Sequence, residues 1–243
     1  MTLIKKRQSI RPLLNEQEPV DAPAVYYAFY HPDAKTHLVT HPIGANRATG
    51  YVAISRTGMD LFRPLVTMKL PQNDLDAGLE LITRALPEGS SAILYAPTTY
   101  GPLLHVLFDI QANEQYRLMV LDHNRFEPII NVLVTQASSP DGLPRFVIRS
   151  PQDEDQVAAA AGLNWQTPNF AEISVTTSPG QRRQGWGRSV VAAMVHYQLE
   201  NGRTPLYVVD EQNQASLRLA ESVGFRDSGE RLIFAAATRK SLI

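Results

Sequence analysis

The chain has no cysteine. That excludes a disulfide framework, thiolate zinc sites and a cysteine nucleophile. It has no surplus of charge either: 23 Lys and Arg stand against 24 Asp and Glu, a net charge of −1. The field of the whole molecule therefore offers nothing to a polyanion, and nucleic acid is not an expected partner. No apolar run approaches the ~20 residues that cross a bilayer, so no membrane partner is expected. Lys5, Lys6, Arg7 and Arg11 form a basic stretch with no apolar h-region behind it, which reads as a solvated segment of a cytoplasmic protein. His37 and His41 are four apart on a strand-like run but have no third ligand nearby, so no metal site is expected, and His196 reads as a surface or partly packed histidine.

What is present is an ordinary globular composition over 243 residues, enough for one large domain or two small ones. Val25–Tyr30, His37–Thr40 and Tyr51–Ser55 read as short strands, and Leu61–Leu70 continues the extended pattern to Pro71. Leu75, Leu79, Ile82 and Leu86 then recur at helical spacing, with Asp74 as N-cap and Gly89 beyond the end. Ala92–Tyr95 reads as a buried strand, Gly101–Phe108 as a short helix and Tyr116–Leu121 as a strand. Strands alternating with helices predict a mixed α/β sheet.

The order then recurs. Val190, Val191, Met194, Val195 and Leu199 form a helical stripe stopping at Gly202; Leu206–Val209 reads as a strand, Ala215–Val223 as a helix and Leu232–Phe234 as a strand. A constant offset of 113 places Leu86 on Leu199, Ile93 on Leu206 and Leu104 on Leu217, which reads as a duplicated fold. The expected boundary lies near residue 130, giving domains 1–129 and 130–243, with Pro140–Pro144 turning between strands Asn131–Thr135 and Arg145–Ile148. The register breaks before the second helical stripe: Val66 to Leu79 spans 13 positions, Val175 to Ala192 spans 17.

The extra residues lie in a turn that carries Arg182, Arg183, Gln184, Gly185, Trp186, Gly187 and Arg188. Glycines let the backbone approach a ligand, and amides at a helix start favour an anion. Three arginines within seven positions add the countercharge for a pyrophosphate. The phosphate loops of ATP and NAD sites are absent, because there is no Gly-x-x-x-x-Gly-Lys-Ser/Thr and no Gly-x-Gly-x-x-Gly with a following acid.

Val175-x-Thr177-x-Pro179 followed by Arg182-x-x-Gly185-x-Gly187 resembles the acyl-CoA loop of the GNAT N-acetyltransferase superfamily. Asn213-x-x-Ser216, ending eight residues on in Gly224-Phe225, resembles that family's second hallmark. The resemblance covers about residues 130–243, and the first half resembles the family only through the repeat, as a degenerate copy. It implies a tandem GNAT-like α/β fold: mixed, mostly antiparallel sheets whose central parallel strands splay, flanked by helices. It also implies an acetyl-CoA-dependent N-acetyltransferase. The acceptor would be a primary amine, either a small molecule or a protein N-terminus, and the chain a monomer or homodimer. Backbone groups near Val175 and Thr177 would bind pantetheine, the amides from Arg182 to Arg188 the pyrophosphate, and Asn213, which can also cap the last helix by accepting from the Ser216 amide, would lie near the cofactor.

An attacking amine must lose a proton. Strand alternation puts Phe170, Glu172, Ser174 and Thr176 on one face, and Glu172 is the candidate base; a structural ion pair with a nearby arginine is the other reading. Asp210 and Glu211 are rivals, read as loop acids. The family's usual acid, a Tyr in the last helix, is replaced by Ala220, and Ser216 stands where one branch of the family places a Ser in that role. Without cysteine, direct attack in a ternary complex is expected over a covalent intermediate. The missing Tyr leaves a second reading, a non-catalytic acyl-CoA-binding or regulatory protein.

Overall fold

The computed structural model describes residues 1–241, and for Ala112, Asn113 and Glu154 the backbone alone. In chain order its helices and strands begin with α1 (Leu3–Ile10), α2 (Ala22–Val25), β1 (Thr36–His41), β2 (Gly50–Ser55), β3 (Leu65–Lys69), α3 (Leu75–Ala85), β4 (Ser91–Pro97), α4 (Gly101–Leu107) and β5 (Phe108–Leu121). They continue with β6 (Thr135–Ser138), β7 (Pro144–Ser150), β8 (Asp153–Gln166), β9 (Phe170–Thr177), α5 (Trp186–Glu200), β10 (Thr204–Asp210), α6 (Gln214–Val223) and β11 (Phe225–Arg239).

The chain packs as two compact units, one of Met1–Tyr116 with the chain from Glu230 on, the other of Arg117–Gly229. The sequence reading placed a single boundary near residue 130; the packing divides instead at two points. The reason is β11, which is long enough to belong to both units and whose last part, Leu232–Thr238, pairs antiparallel with β4.

In the first unit β1, β2 and β3 are antiparallel neighbours, and β3 runs parallel to β4. One sheet face is buried under α3 and α4 through Leu81, Ile82, Leu104 and Leu107, which meet Val66, Leu94 and Ile233. The other is covered by Ile10 of α1 with Val25 and Ala28, against Leu38, Tyr51 and Ala53. Asp74 caps α3 as expected, its Oδ1 accepting from the Ala77 amide at 2.9 Å.

The second unit orders its strands β6-β7-β8-β9-β10, with β5 beside β10. Val190, Val191, Met194 and Val195 of α5 are buried against Ile148, Ala159, Ala161 and Ile173, and Leu217, Ala220 and Val223 of α6 complete that core. The repeat holds in this architecture. β4 and β10 begin and end 113 positions apart, and each follows a helix and runs parallel to the preceding strand.

Three expectations are corrected. Val25–Tyr30 is helical: α2 starts on Ala22-Pro23 and continues as a π turn over Tyr26–Tyr30, closed by the His31 amide on the Tyr26 carbonyl at 2.8 Å. Pro suits a first helical turn, and Val25 and Ala28, three apart, bury one face. Leu61–Pro64 is loop, because Asp60 Oδ1 accepts from the Phe62 and Arg63 amides at 2.8 and 2.9 Å. The strand placed at Asn131–Thr135 lies instead at Thr135–Ser138, since Asn131 Oδ1 turns the chain by accepting from the Leu133 amide.

Candidate functional site

β9 and β10 pair over three rungs only: Phe170 with Thr204, Ala171 with Pro205, Glu172 with Leu206. Beyond that rung β9 runs on to Thr177 and β10 to Asp210 without pairing to each other, so a wedge opens between them. Val175 and Thr177 lie on the β9 side of this opening, held from behind by β8, where they stand opposite Ala161 and Ala159. Tyr207 is the first β10 residue past the last rung.

Glu172 sits at the closed end of the wedge. It is buried, and Asn164 Nδ2 donates to its Oε1 at 2.6 Å. The ladder between β8 and β9 slips between Leu163 and Trp165, so that Trp165 is the register partner of Glu172 and Asn164 is free to reach it. Burial pushes the carboxyl pKa up to about 7, while hydrogen bonds from Asn164 and the Trp165 side chain pull it back. Among the described residues no cation pairs with Glu172, so the structure does not contain the ion pair of its structural reading. A carboxyl near neutrality can hold or release a proton at physiological pH.

The turn after β9 is tied down at its start, where the Ser178 amide and Oγ donate to the carbonyls of Ala158 and Val157, each at 2.9 Å. Arg183 and Gly185 then take positive φ, 65° and 77°. The ladder of α5 begins with the Ser189 amide on the Gly185 carbonyl at 3.0 Å, and no side chain caps the helix. Its first amides are therefore left for another acceptor. Gly187 is buried because it must be: a Cβ there would lie 2.9 Å from Leu219 Cδ1 and 3.1 Å from Thr177 Oγ1. Trp186 packs half-buried against the α5 core, and Gln184 donates to Gln181. Arg182, Arg183 and Arg188 are exposed. Together they form an uncapped helix start ringed by cations, suited to a phosphate-bearing ligand.

Asn213 is committed to structure, its Oδ1 accepting from the Ser216 amide at 3.1 Å to cap α6. Ser216 is half-exposed, and its Oγ lies 2.8 Å from the Tyr207 hydroxyl. Tyr207 is buried, which raises its phenol pKa; the hydrogen bond with Ser216 acts in the other direction. The rival acids are engaged elsewhere: Asp210 turns the chain through the Gln212 amide, and Glu211 pairs with Arg117 at 3.1 Å. Sequence reasoning missed Asn164 and Tyr207. Nothing local marks either, because each acts through a strand register that the sequence does not display. Among the described residues no cluster of His, Asp or Glu is arranged for a metal, and no helix is long and apolar enough to cross a membrane.

Residues 149–234 match the family model described as GNAT acetyltransferase. No curated protein matches the sequence. Among solved structures, the chain is similar to a Drosophila protein at 16% identity, covering 96% of this chain and 88% of that one, with a TM-score of 0.66. It is similar to a tandem GNAT protein from the clavulanic acid biosynthesis pathway at 12% identity, with 99% and 95% covered and a TM-score of 0.62. A GCN5-related N-acetyltransferase from Kribbella flavida shares 16% identity over 89% of this chain and 95% of that one, with a TM-score of 0.60. At these identities the structures establish a shared fold, here the tandem GNAT arrangement expected of the sequence.

Proposed function

We propose, from the match of residues 149–234 to the GNAT acetyltransferase family model, that the chain transfers an acetyl group from acetyl-CoA to a primary amine by direct attack in a ternary complex. The observation that carries the reading is Glu172: a buried carboxyl with a pKa near 7, at the apex of a wedge whose rim leads into the arginine-flanked turn. The pyrophosphate of the substrate would lie on the amides from Arg182 to Arg188, and its pantetheine along Val175 and Thr177. Asn213 holds the start of α6 in place for it.

The amine gives its proton to Glu172 as nitrogen attacks the thioester carbon. The C–S bond then breaks with its electron pair on sulfur. Ser216, oriented by Tyr207, donates a hydrogen bond to that sulfur, a contribution otherwise lacking where Ala220 fills the core. The acceptor is a small-molecule amine or a protein N-terminus, and the working form a monomer or homodimer. Release of CoA thiol from acetyl-CoA across a panel of amines tests the reaction. Ala220 also supports a second reading, in which the chain binds acyl-CoA without turnover; tight calorimetric binding of acetyl-CoA with no thiol release on any amine would select it.

A further inference from the structure

The first unit carries a cavity of about 760 Å³ bounded by the start of β1, the end of β2 and the loop from Thr57 to Pro64. Its walls combine two chemistries. Leu61 and Phe62, 89% and 91% exposed, line it together with Ile54. Apolar side chains presented this way in a soluble unit mark a surface that meets something apolar. They are held out by construction: Asp60 binds the Phe62 and Arg63 amides through one oxygen and Arg63 Nε, at 2.8 Å, through the other.

That leaves Asp60, the acid of the lining, spent on its own loop. Lys35 and Arg56 face the same space, and among the described residues neither forms an ion pair. His37 also lines the space, but burial and the nearby Lys6 charge lower its pKa, so the unpaired cations there are Lys35 and Arg56, with Arg63 held by Asp60. The chain as a whole is close to neutral, so this concentration of unpaired cations is local. A volume of this size suits one small molecule.

We infer that this cavity binds a small amphiphilic anion, its carboxylate or similar head on Lys35 and Arg56 and its apolar body on Ile54, Leu61 and Phe62. The site lies wholly within residues 34–64 and is independent of the acyl-transfer reading.

The test is calorimetric titration of the full chain with sodium decanoate, beside acetate, which has the head without the body, and decyltrimethylammonium, which has the body with the opposite charge. Decanoate is expected to bind one per chain and the two controls at least tenfold more weakly. Lys35→Glu with Arg56→Glu, and separately Phe62→Ser, are expected to weaken decanoate at least tenfold while circular dichroism and acetyl-CoA binding stay unchanged. Gly187→Asp is expected to leave decanoate binding unchanged. Equal binding of the cationic amphiphile, unchanged affinity in the folded variants, or no binding of decanoate overturns the proposal. Co-sedimentation with phosphatidylserine vesicles in the absence of decanoate binding would assign the surface to a membrane instead.

Discussion

Glu172 on β9 and Leu206 on β10 form the last rung of the parallel pairing, and one residue further on the two strands have parted. The carboxyl thus sits where buried sheet gives way to an opening, the setting that the proposed base role requires. A base in that setting works only when ionised. The rate at low amine concentration should therefore climb with pH through an apparent pKa near 7, beyond the contribution of the amine itself. A pH profile of kcat/KM with a poorly basic amine, whose own titration lies outside the range, checks this.

The same raised pKa has a consequence for stability. Its folded value of about 7 exceeds the ordinary glutamate value of 4.5, so the folded chain holds the proton more tightly. Stability from this group is fully present below the unfolded pKa and is lost as pH rises through 7. Glu172→Gln removes that loss while still accepting from Asn164. It should stabilise the chain by on the order of 3 kcal/mol at pH 8.5, raising Tm by roughly 5–10 °C, with little change at pH 4. Melting curves at the two pH values give the difference.

Gly185 and Gly187 should fail in different ways. Gly185 has φ of 77° with nothing within 4 Å of a new Cβ, so Gly185→Ala costs only backbone strain, about 1 kcal/mol. Gly187→Asp forces a side chain against Thr177 and Leu219 and sets a negative charge at the helix start. Acetyl-CoA affinity should fall roughly tenfold or more in the second and much less in the first, as read by calorimetry.

Tyr207→Phe removes one hydroxyl and leaves the ring on Phe225. With its partner gone, Ser216 is no longer oriented, and kcat should fall by about tenfold with the KM for acetyl-CoA little changed. Ser216→Ala should lose a similar factor, and the double variant no more than either alone. Steady-state kinetics on the three variants, set in a cycle, measures this coupling.

Much of the second unit was legible. The strand–turn–helix–strand–helix order from Phe170 to Val223 follows from local signals: glycines at positive φ, Asn213 at a helix start, and apolar stripes at helical spacing. The offset of 113 carried β10 back onto β4. What escaped was non-local. Tyr26, Tyr27, Phe29 and Tyr30 have the composition of a strand, yet Pro23 and the burial of Val25 and Ala28 make the segment helical. The reach of β11 into the first unit depends on pairing with β4, more than 130 residues earlier in the chain. Tyr207 and Ser216, nine apart on different elements, meet only because α6 folds back on β10.

The most direct measurement is amine-dependent release of CoA thiol from acetyl-CoA by the wild-type chain and by Glu172→Gln at pH 7.5. The account predicts release that depends on an amine and falls by roughly a hundredfold in the variant, with acetyl-CoA affinity kept within about threefold. Release that is unaffected by Glu172→Gln, or tight acetyl-CoA binding with no release on any amine, would contradict it.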